Sequence, residues 1–432
     1  MNMRFALMML LLGVAMPRGI SQQSRVVGYL PYYRFENLGQ IELEHLTHLC
    51  IAFANPDAQG NISMDGVDIW PVVQQAHDAN VKVLASLAGG ALKPEWAEAW
   101  ARLTQPRNRT GFIRKIIQYT LAYQLDGIDI DLEWNYVNAN YSGFVVELRD
   151  SLHAYGKLMT AAVPAIHRYK HMSQEAMQAF DFINLMAYDL TGQFNPGRPG
   201  PHSPYSLADA GIKYWKNQGM PAHKLVLGLP LYGWDFSTPG TVRSVNYGDI
   251  VATNPAYAHI DQVGKIYYNG IQTVVAKTEL AMRDAGGVML WELGKDAHNE
   301  YSLLRTAYHT IKGEPLDQPE ETQAVAGAVE AIAETAEFTE EFTLPGAPMP
   351  VDTLHLAIEI QPNPFQDTLK ITNKEERALQ LVLSDKKGRP LFEAYLRPNS
   401  TINWETTSFP PGQYTVSAMK GSKQVSRTLR KM

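Results

Sequence analysis

Between Arg25 and about Lys312, short runs of apolar and β-branched residues alternate with longer segments whose apolar positions follow a helical period. The short runs are VVGYL, HLCIAFA, VKVLASLA, GIDIDLE, LMTAAVP, FINLMAY, LVLGLPLYG and GGVMLWE. Amphipathic segments such as DIWPVVQQAHDAN, TGFIRKIIQYTLAYQL, YSGFVVELRDSLHAYG, SLADAGIKYWKNQG and TVVAKTELAMRDAG lie between them. Eight strands, each followed by a helix-sized segment, predict a parallel α/β sheet closed as a TIM (β/α)8 barrel over residues 25–312.

The pattern changes on either side. MNMRFALMMLLLGVAM has one basic residue and then about a dozen apolar ones, a secretory leader too short to anchor in a bilayer. We place that leader at residues 1–21, with cleavage after Ser21. Residues 313–352 are rich in acids, alanine and flanking prolines, which predicts an extended acidic linker with transient helicity in its middle. From 353 to 432 strand patterns return as LHLAIEI, TLKITN, ALQLVLSD, TINWETT, QYTVSAMK and SRTLRK, separated by turns at PNPFQ, DKKGRP and FPPGQ. That predicts a small all-β sandwich after the barrel.

One strand carries chemistry. Asp126 to Glu133 reads DGIDIDLE, so Ile128, Ile130 and Leu132 share one face and Asp129, Asp131 and Glu133 the other. Side chains two apart on a strand are roughly 6 to 7 Å from each other. Carboxylates crowded this way cannot all ionise, so at least one should hold its proton near neutral pH. A solvated acidic edge strand would show the same alternation, but its apolar face is too regular to be left unburied. Acids at strict i, i+2 spacing with no histidine nearby make a poor metal shell. The chemistry that fits is a general acid with neighbours that tune and orient it.

Composition narrows the options. The chain has 432 residues, 45% of them hydrophobic, and a net charge of −6, which argues against nucleic acid as a partner. Its one cysteine, Cys50, lies in the apolar run LTHLCIAFA and reads as a buried thiol, with no disulfide or cysteine metal cluster to form. No metal or other cofactor is called for. Beyond the leader, no apolar run approaches membrane-spanning length.

The string Asp126-x-x-Asp129-x-Asp131-x-Glu133 resembles the signature of glycoside hydrolase family 18, the family of chitinases and related N-acetylglucosaminidases. Other strand ends carry more of the pattern. Met186-Ala187-Tyr188-Asp189 is similar to the family's Met-x-Tyr-Asp, and Gly228 to Gly233 (GLPLYG) to its Gly-x-Pro-x-Tyr-Gly. Gly286 to Asp296 (GGVMLWELGKD) looks like the segment whose tryptophan, here Trp291, floors the subsite of the reactive sugar. One motif departs: the family's Ser-x-Gly-Gly appears as Ser86-Leu87-Ala88-Gly89, followed by Gly90, and the extra methyl is expected to shift the packing slightly.

The resemblance implies a retaining hydrolase of β-1,4-linked N-acetylglucosamine glycans in which the substrate's own 2-acetamido group is the nucleophile. It assigns Glu133 as general acid. Asp131 would orient the acetamido nitrogen and share a proton with Glu133, while Asp129 hydrogen-bonds Asp131 from below. Tyr188 would hold the acetamido oxygen, and Asp189 and Met186 would line the reactive sugar. Asp126, Ser86, Gly89 and Gly90 would be structural members of the motifs. Sugar faces stack on aromatic rings, so Trp291, Tyr29, Phe53, Trp134, Tyr232 and Trp234, all at or just beyond strand ends, are candidate binding residues. Only about fifty residues separate Phe236 from Gly286, room for a reduced α+β insertion at NYGDIVATNPAYAHIDQVGKIYYNG and hence a shallow, open cleft.

Chitin or chito-oligosaccharides lead as substrate. The chitobiose core of N-glycans and peptidoglycan remain alternatives with the same chemistry, and a silent lectin on the same barrel is disfavoured because every acid of the signature is present. At the other end, QPNPFQDTLKI, LSDKKGRPL and PPGQYTV, closing on a basic tail, resemble the C-terminal sorting domain of the Bacteroidota type IX secretion system. The implied partner is that secretion machinery, and the implied destination is the cell surface or medium, by way of the periplasm. A carbohydrate-binding module is the competing reading, but its aromatics, Phe365, Phe392, Tyr395, Trp404 and Tyr414, fall largely in core phase.

Overall fold

The computed structural model describes residues 24–316, 358–366, 368–374, 379–386, 390–396, 400–406, 409–420 and 423–432. The leader (1–21) and residues 317–352 of the linker lie outside them. Among the described residues, no helix is long and apolar enough to cross a membrane.

Eight parallel strands build the first unit: β1 (Arg25–Pro31), β2 (His48–Pro56), β3 (Lys82–Ala88), β4 (Gly127–Asp131), β5 (Leu158–Pro164), β6 (Phe182–Met186), β7 (Leu225–Pro230) and β8 (Gly287–Trp291). Each pairs with the next, and β8 pairs back onto β1, so the sheet closes as the expected TIM barrel. Closure removes both edges and forces residues to alternate between lumen and helix layer. On β4, Ile128 and Ile130 pack outward into the large core shared with the helices, while Asp129 turns inward. Val27, Tyr29, Cys50, Leu84, Phe182, Val226 and Met289 form a separate cluster within the barrel. Glu133, still extended at φ −117° and ψ 156°, follows β4 directly at its C-terminal end, where barrel chemistry sits.

The helices expected from periodicity form at Trp70–Asp78, Pro106–Ala122, Tyr141–His153, Tyr205–Asn217 and Ile271–Asp284. The helix after β8, Leu303–Lys312, stops where Gly313 takes a left-handed cap at φ 68°. The run LVLGLPLYG is divided: Leu231 donates its N–H to the Trp291 carbonyl and ends β7. The chain then enters a small antiparallel sheet of Tyr232–Thr238, Thr241–Asn246, Gln262–Val263 and Ile266–Tyr267, with the helix Tyr247–Thr253 inside it. This is the compact insertion before β8.

The C-terminal region folds as two antiparallel sheets, one of Ile358–Gln361, Thr368–Asn373 and Ser400–Glu405, the other of Leu379–Asp385, Pro390–Leu396, Gly412–Lys420 and Lys423–Lys431. Phe365, Leu369, Leu381, Leu383, Tyr414 and Val416 are buried in its core. Phe365 and Tyr414 are therefore packing residues. The side chains of Phe392, Tyr395 and Trp404 lie outside the described residues.

Candidate active site

The four acids of DGIDIDLE stand at different depths. Asp126 lies at the N-terminal end of the barrel, where its Oδ2 accepts the Val83 N–H at 2.8 Å and lies 2.9 Å from His77 Nε2. It ties the entry of β4 to β3 and to the preceding helix.

Asp129 is fully buried in the lumen. Its oxygens accept hydrogen bonds from Tyr29 Oη (2.8 Å), Ser86 Oγ (2.7 Å), Thr160 Oγ1 (2.6 Å) and, at 3.5 Å, Asn184 Nδ2. Burial raises its carboxyl, and these neutral donors offset only part of that rise. The resemblance had Asp129 bonded to Asp131. In the structure the hydrogen bonds found on Asp129 come from these four side chains.

Asp131 is buried, and its Oδ1 has no hydrogen-bond partner among the described residues. Burial, then the carboxyl of Glu133, then that of Asp129 push it well above the usual range. Glu133 is half-buried and is pushed up to about 7, first by burial and then by Asp189, against an opposing hydrogen bond from Trp134. Both carboxyls of the pair are thus raised, each by burial first and then by a neighbouring carboxyl.

The backbone beside β3 is shaped around the acid. A Cβ on Gly90 would fall 2.4 Å from Glu133 Oε1, and one on Gly89, at φ +93°, would meet the Phe53 ring at 2.8 Å. Only glycine allows either approach. Ala88 corrects the sequence expectation: it sits at φ +82°, so its methyl costs backbone strain as well as packing space.

On the far side of the lumen, Tyr188 and Asp189 leave β6. Burial raises the Tyr188 hydroxyl, and Asp131, Asp189 and Glu133 add to that. Asp189 takes a left-handed backbone at φ +59°. Its Oδ1 accepts from Tyr232 Oη at 2.7 Å and Trp234 Nε1 at 2.8 Å, and His202 Nδ1 is 3.3 Å away. Burial alone would raise this carboxyl, but the hydrogen bond and charge of His202, with the Tyr232 and Trp234 donors, hold it below the usual range. Met186 is half-buried at the end of β6.

The aromatics divide into two groups. Trp291 is half-buried, with the Tyr29 ring edge-on at 5.6 Å and the Phe53 ring tilted at 5.6 Å. Trp134 is 60% exposed immediately after Glu133 and meets Tyr169 edge-on. These two tryptophans offer open faces. Tyr29 does not: it is buried beneath Trp291 and spends its hydroxyl on Asp129. Tyr232 and Trp234 are likewise buried, with their polar tips on Asp189. These three candidate binding residues are packed as supports for Asp129 and Asp189.

Thr160, Asn184 and His202 were missed. The first two had a signal, a polar residue inside an otherwise apolar strand (LMTAAVP, FINLM). His202 had none, standing in the irregular run NPGRPGPHSP.

A closed (β/α)8 barrel with a buried acidic cluster under a half-open tryptophan at the strand C-termini defines a class of glycoside hydrolase. Residues 25–296 match the profile of glycosyl hydrolases family 18, and the chain belongs to that family. Residues 359–431 match the secretion system C-terminal sorting domain. Among solved structures, the fold is similar to a family 18 chitinase from the chitin utilization locus of Flavobacterium johnsoniae, at 44% identity and TM-score 0.67, covering 68% of this chain and 95% of that one. It is also similar to a chitinase from Bacteroides thetaiotaomicron, at 32% identity and TM-score 0.60, covering 68% and 99%. A curated relative, a chitinase-like effector of Moniliophthora roreri, is 25% identical over 46% of this chain, which spans 55% of that protein's length. The sorting domain indicates secretion or display at the cell surface.

Proposed function

We propose that this chain is a retaining hydrolase of β-1,4-linked N-acetylglucosamine glycans, chitin or chito-oligosaccharides first, and that the substrate's 2-acetamido group is its nucleophile. The observation that carries the reading is the Asp131–Glu133 pair: a buried carboxyl with an unpartnered oxygen beside a half-buried one raised to about 7. A carboxyl in that range keeps a large protonated fraction in neutral solution and can give its proton to a glycosidic oxygen.

In the first step Glu133 protonates the leaving oxygen, and the acetamido carbonyl oxygen attacks C1 as the C1–O bond breaks. Asp131 takes a hydrogen bond from the acetamido N–H, and Tyr188 donates one to the acetamido oxygen as charge develops. The product of this step is an oxazolinium ion on the enzyme. Glu133, now a carboxylate, removes a proton from water, and the water oxygen bonds to C1 on the face the leaving group left. As it does, the C1–O bond to the acetamido oxygen breaks and the acetamido group is restored. Two inversions give net retention. Asp129 stays beneath as part of the fixed hydrogen-bonded floor, Asp189 contacts the reactive sugar, and Trp291 carries its ring.

The decisive measurement is NMR of the anomer first released from chitohexaose, alongside digestion of fully deacetylated chitosan. The β anomer and no chitosan cleavage are expected. An α product, or ready cleavage of the deacetylated polymer, would remove the acetamido nucleophile and the role of Asp131 with it. Rates on an N-glycopeptide and on peptidoglycan, set beside chitohexaose, decide among the glycans. We read the chain as leader 1–21, barrel 25–312, linker 313–352 and sorting domain 353–432, exported through the periplasm to the type IX machinery. Truncation after Glu340 should leave an active barrel in vitro and strand the enzyme in the periplasm of its host. Normal release of the truncated form would favour a binding module instead.

A further inference from the structure

The loop that follows β6 returns a buried histidine to the residue that starts it. His202 is fully buried, and its Nε2 lies 3.2 Å from the Tyr232 carbonyl oxygen. A carbonyl oxygen only accepts, so Nε2 carries a proton. Nδ1 then has two options, both directed at Asp189. As a lone pair it accepts the Asp189 N–H at 3.5 Å, and in the imidazolium it donates to Asp189 Oδ1 at 3.3 Å. Either way the ring grips a residue whose left-handed backbone, at φ +59°, is not one that aspartate holds without support.

The loop is fastened so that the ring cannot drift. The His202 carbonyl accepts the Leu190 N–H at 2.9 Å. Its neighbour Ser203 donates to the Ala187 carbonyl at 2.7 Å. The buried ammonium of Lys277 bonds the Ser203 carbonyl (2.6 Å), Ser203 Oγ (2.7 Å) and Asn269 Oδ1 (2.7 Å), which pins the same loop to the insertion before β8. Tyr232 and Trp234 complete the grip, and among the described residues the side-chain donors found on Asp189 meet Oδ1. Oδ2 is left for the cleft.

We propose that His202 is a positioning residue for Asp189, holding its backbone and Oδ1 so that Oδ2 faces the reactive sugar. The inference rests on the reading of Asp189 as a sugar contact. A packing role alone would make ring shape sufficient and the nitrogens irrelevant, and that is the point of the test.

In the full chain, His202→Phe, His202→Asn and His202→Gln are compared on chitotetraose. Asn places an amide near the Nδ1 position and Gln near the Nε2 position. His202→Phe should lower kcat about tenfold with KM little changed, the loss of one hydrogen bond to a charged group. His202→Asn should recover most of that loss and His202→Gln should not. Adding His202→Phe to Asp189→Asn should cost nothing more. Wild-type kcat in His202→Phe, or equal kcat in the Asn and Gln variants, would overturn the proposal. If the Phe variant does not fold, the contrast between Asn and Gln decides alone. Asp189→Asn separates the two levels: wild-type turnover there would remove the sugar contact itself, whereas an impaired Asp189→Asn beside a normal His202→Phe would overturn the clamp only.

Discussion

The two ends of the barrel treat carboxylates in opposite ways. At the N-terminal end, Asp126 accepts the Val83 N–H and meets His77, in the last turn of the helix Trp70–Asp78 that precedes β3. Asp181, before β6, repeats the device with the Met159 N–H at 2.8 Å and His153 Nε2 at 3.1 Å. At the C-terminal end Asp131 keeps an oxygen without a partner among the described residues, and the carboxyl of Glu133 raises it further. The same residue type, five positions apart on one strand, is a fastener at one end and a proton store at the other. What separates them is the supply of donors, and this follows the general split between stability and chemistry at the two faces of such barrels.

The comparison breaks first at Glu133. Glu133→Gln should reduce turnover on chitohexaose by about 10² to 10⁴ or more, the range of general acid catalysis. Tyr188→Phe should cost about tenfold, one hydrogen bond to developing charge. Near-normal turnover in Glu133→Gln would mean the acid lies elsewhere.

A second test uses stability. The Glu133 carboxyl is raised in the folded protein to about 7. Its contribution is therefore fully present below the unfolded value and is lost as pH rises through 7. Glu133→Gln should match the wild type near pH 4 and exceed it by roughly 1–3 kcal/mol at pH 9, measured by urea unfolding. A variant less stable at pH 9 would show that the carboxylate is well satisfied and the proton-store reading wrong.

Asp126→Ala probes the other end. It leaves the Val83 N–H without its acceptor and should cost about 1–3 kcal/mol, with turnover per folded molecule unchanged. A loss of turnover with intact stability would erase the distinction between the ends. The smallest effect belongs to Ala88→Gly, which removes a methyl from a backbone at φ +82° and should stabilise by about 0.5–1 kcal/mol. Destabilisation there would show that the methyl fills space the strand needs.

Much of this was legible in the order of residues. Alternation along DGIDIDLE separates a helix-facing side from an acidic one, because side chains on a strand must alternate. The eight-fold repeat of strand and helix specifies a closed barrel, since a parallel strand with a covered face has few other ways to end. Motifs at strand ends bring Glu133, Tyr188, Asp189 and Trp291 to one rim for the same reason. Depth was not legible. Tyr29 and Trp134 read alike as aromatics beyond strands, yet one is buried beneath the floor and the other 60% exposed. Burial depends on what neighbouring strands place alongside, and that is a sum over residues distant in sequence. The donors that hold Asp129 (Tyr29, Thr160 and Ser86) come from three other strands. His202, thirteen residues beyond Asp189 in a loop without periodicity, could be found only once the chain had closed on itself. Local spacing determined which groups share a face. The tertiary structure decided which of them have partners, and so which keep a proton.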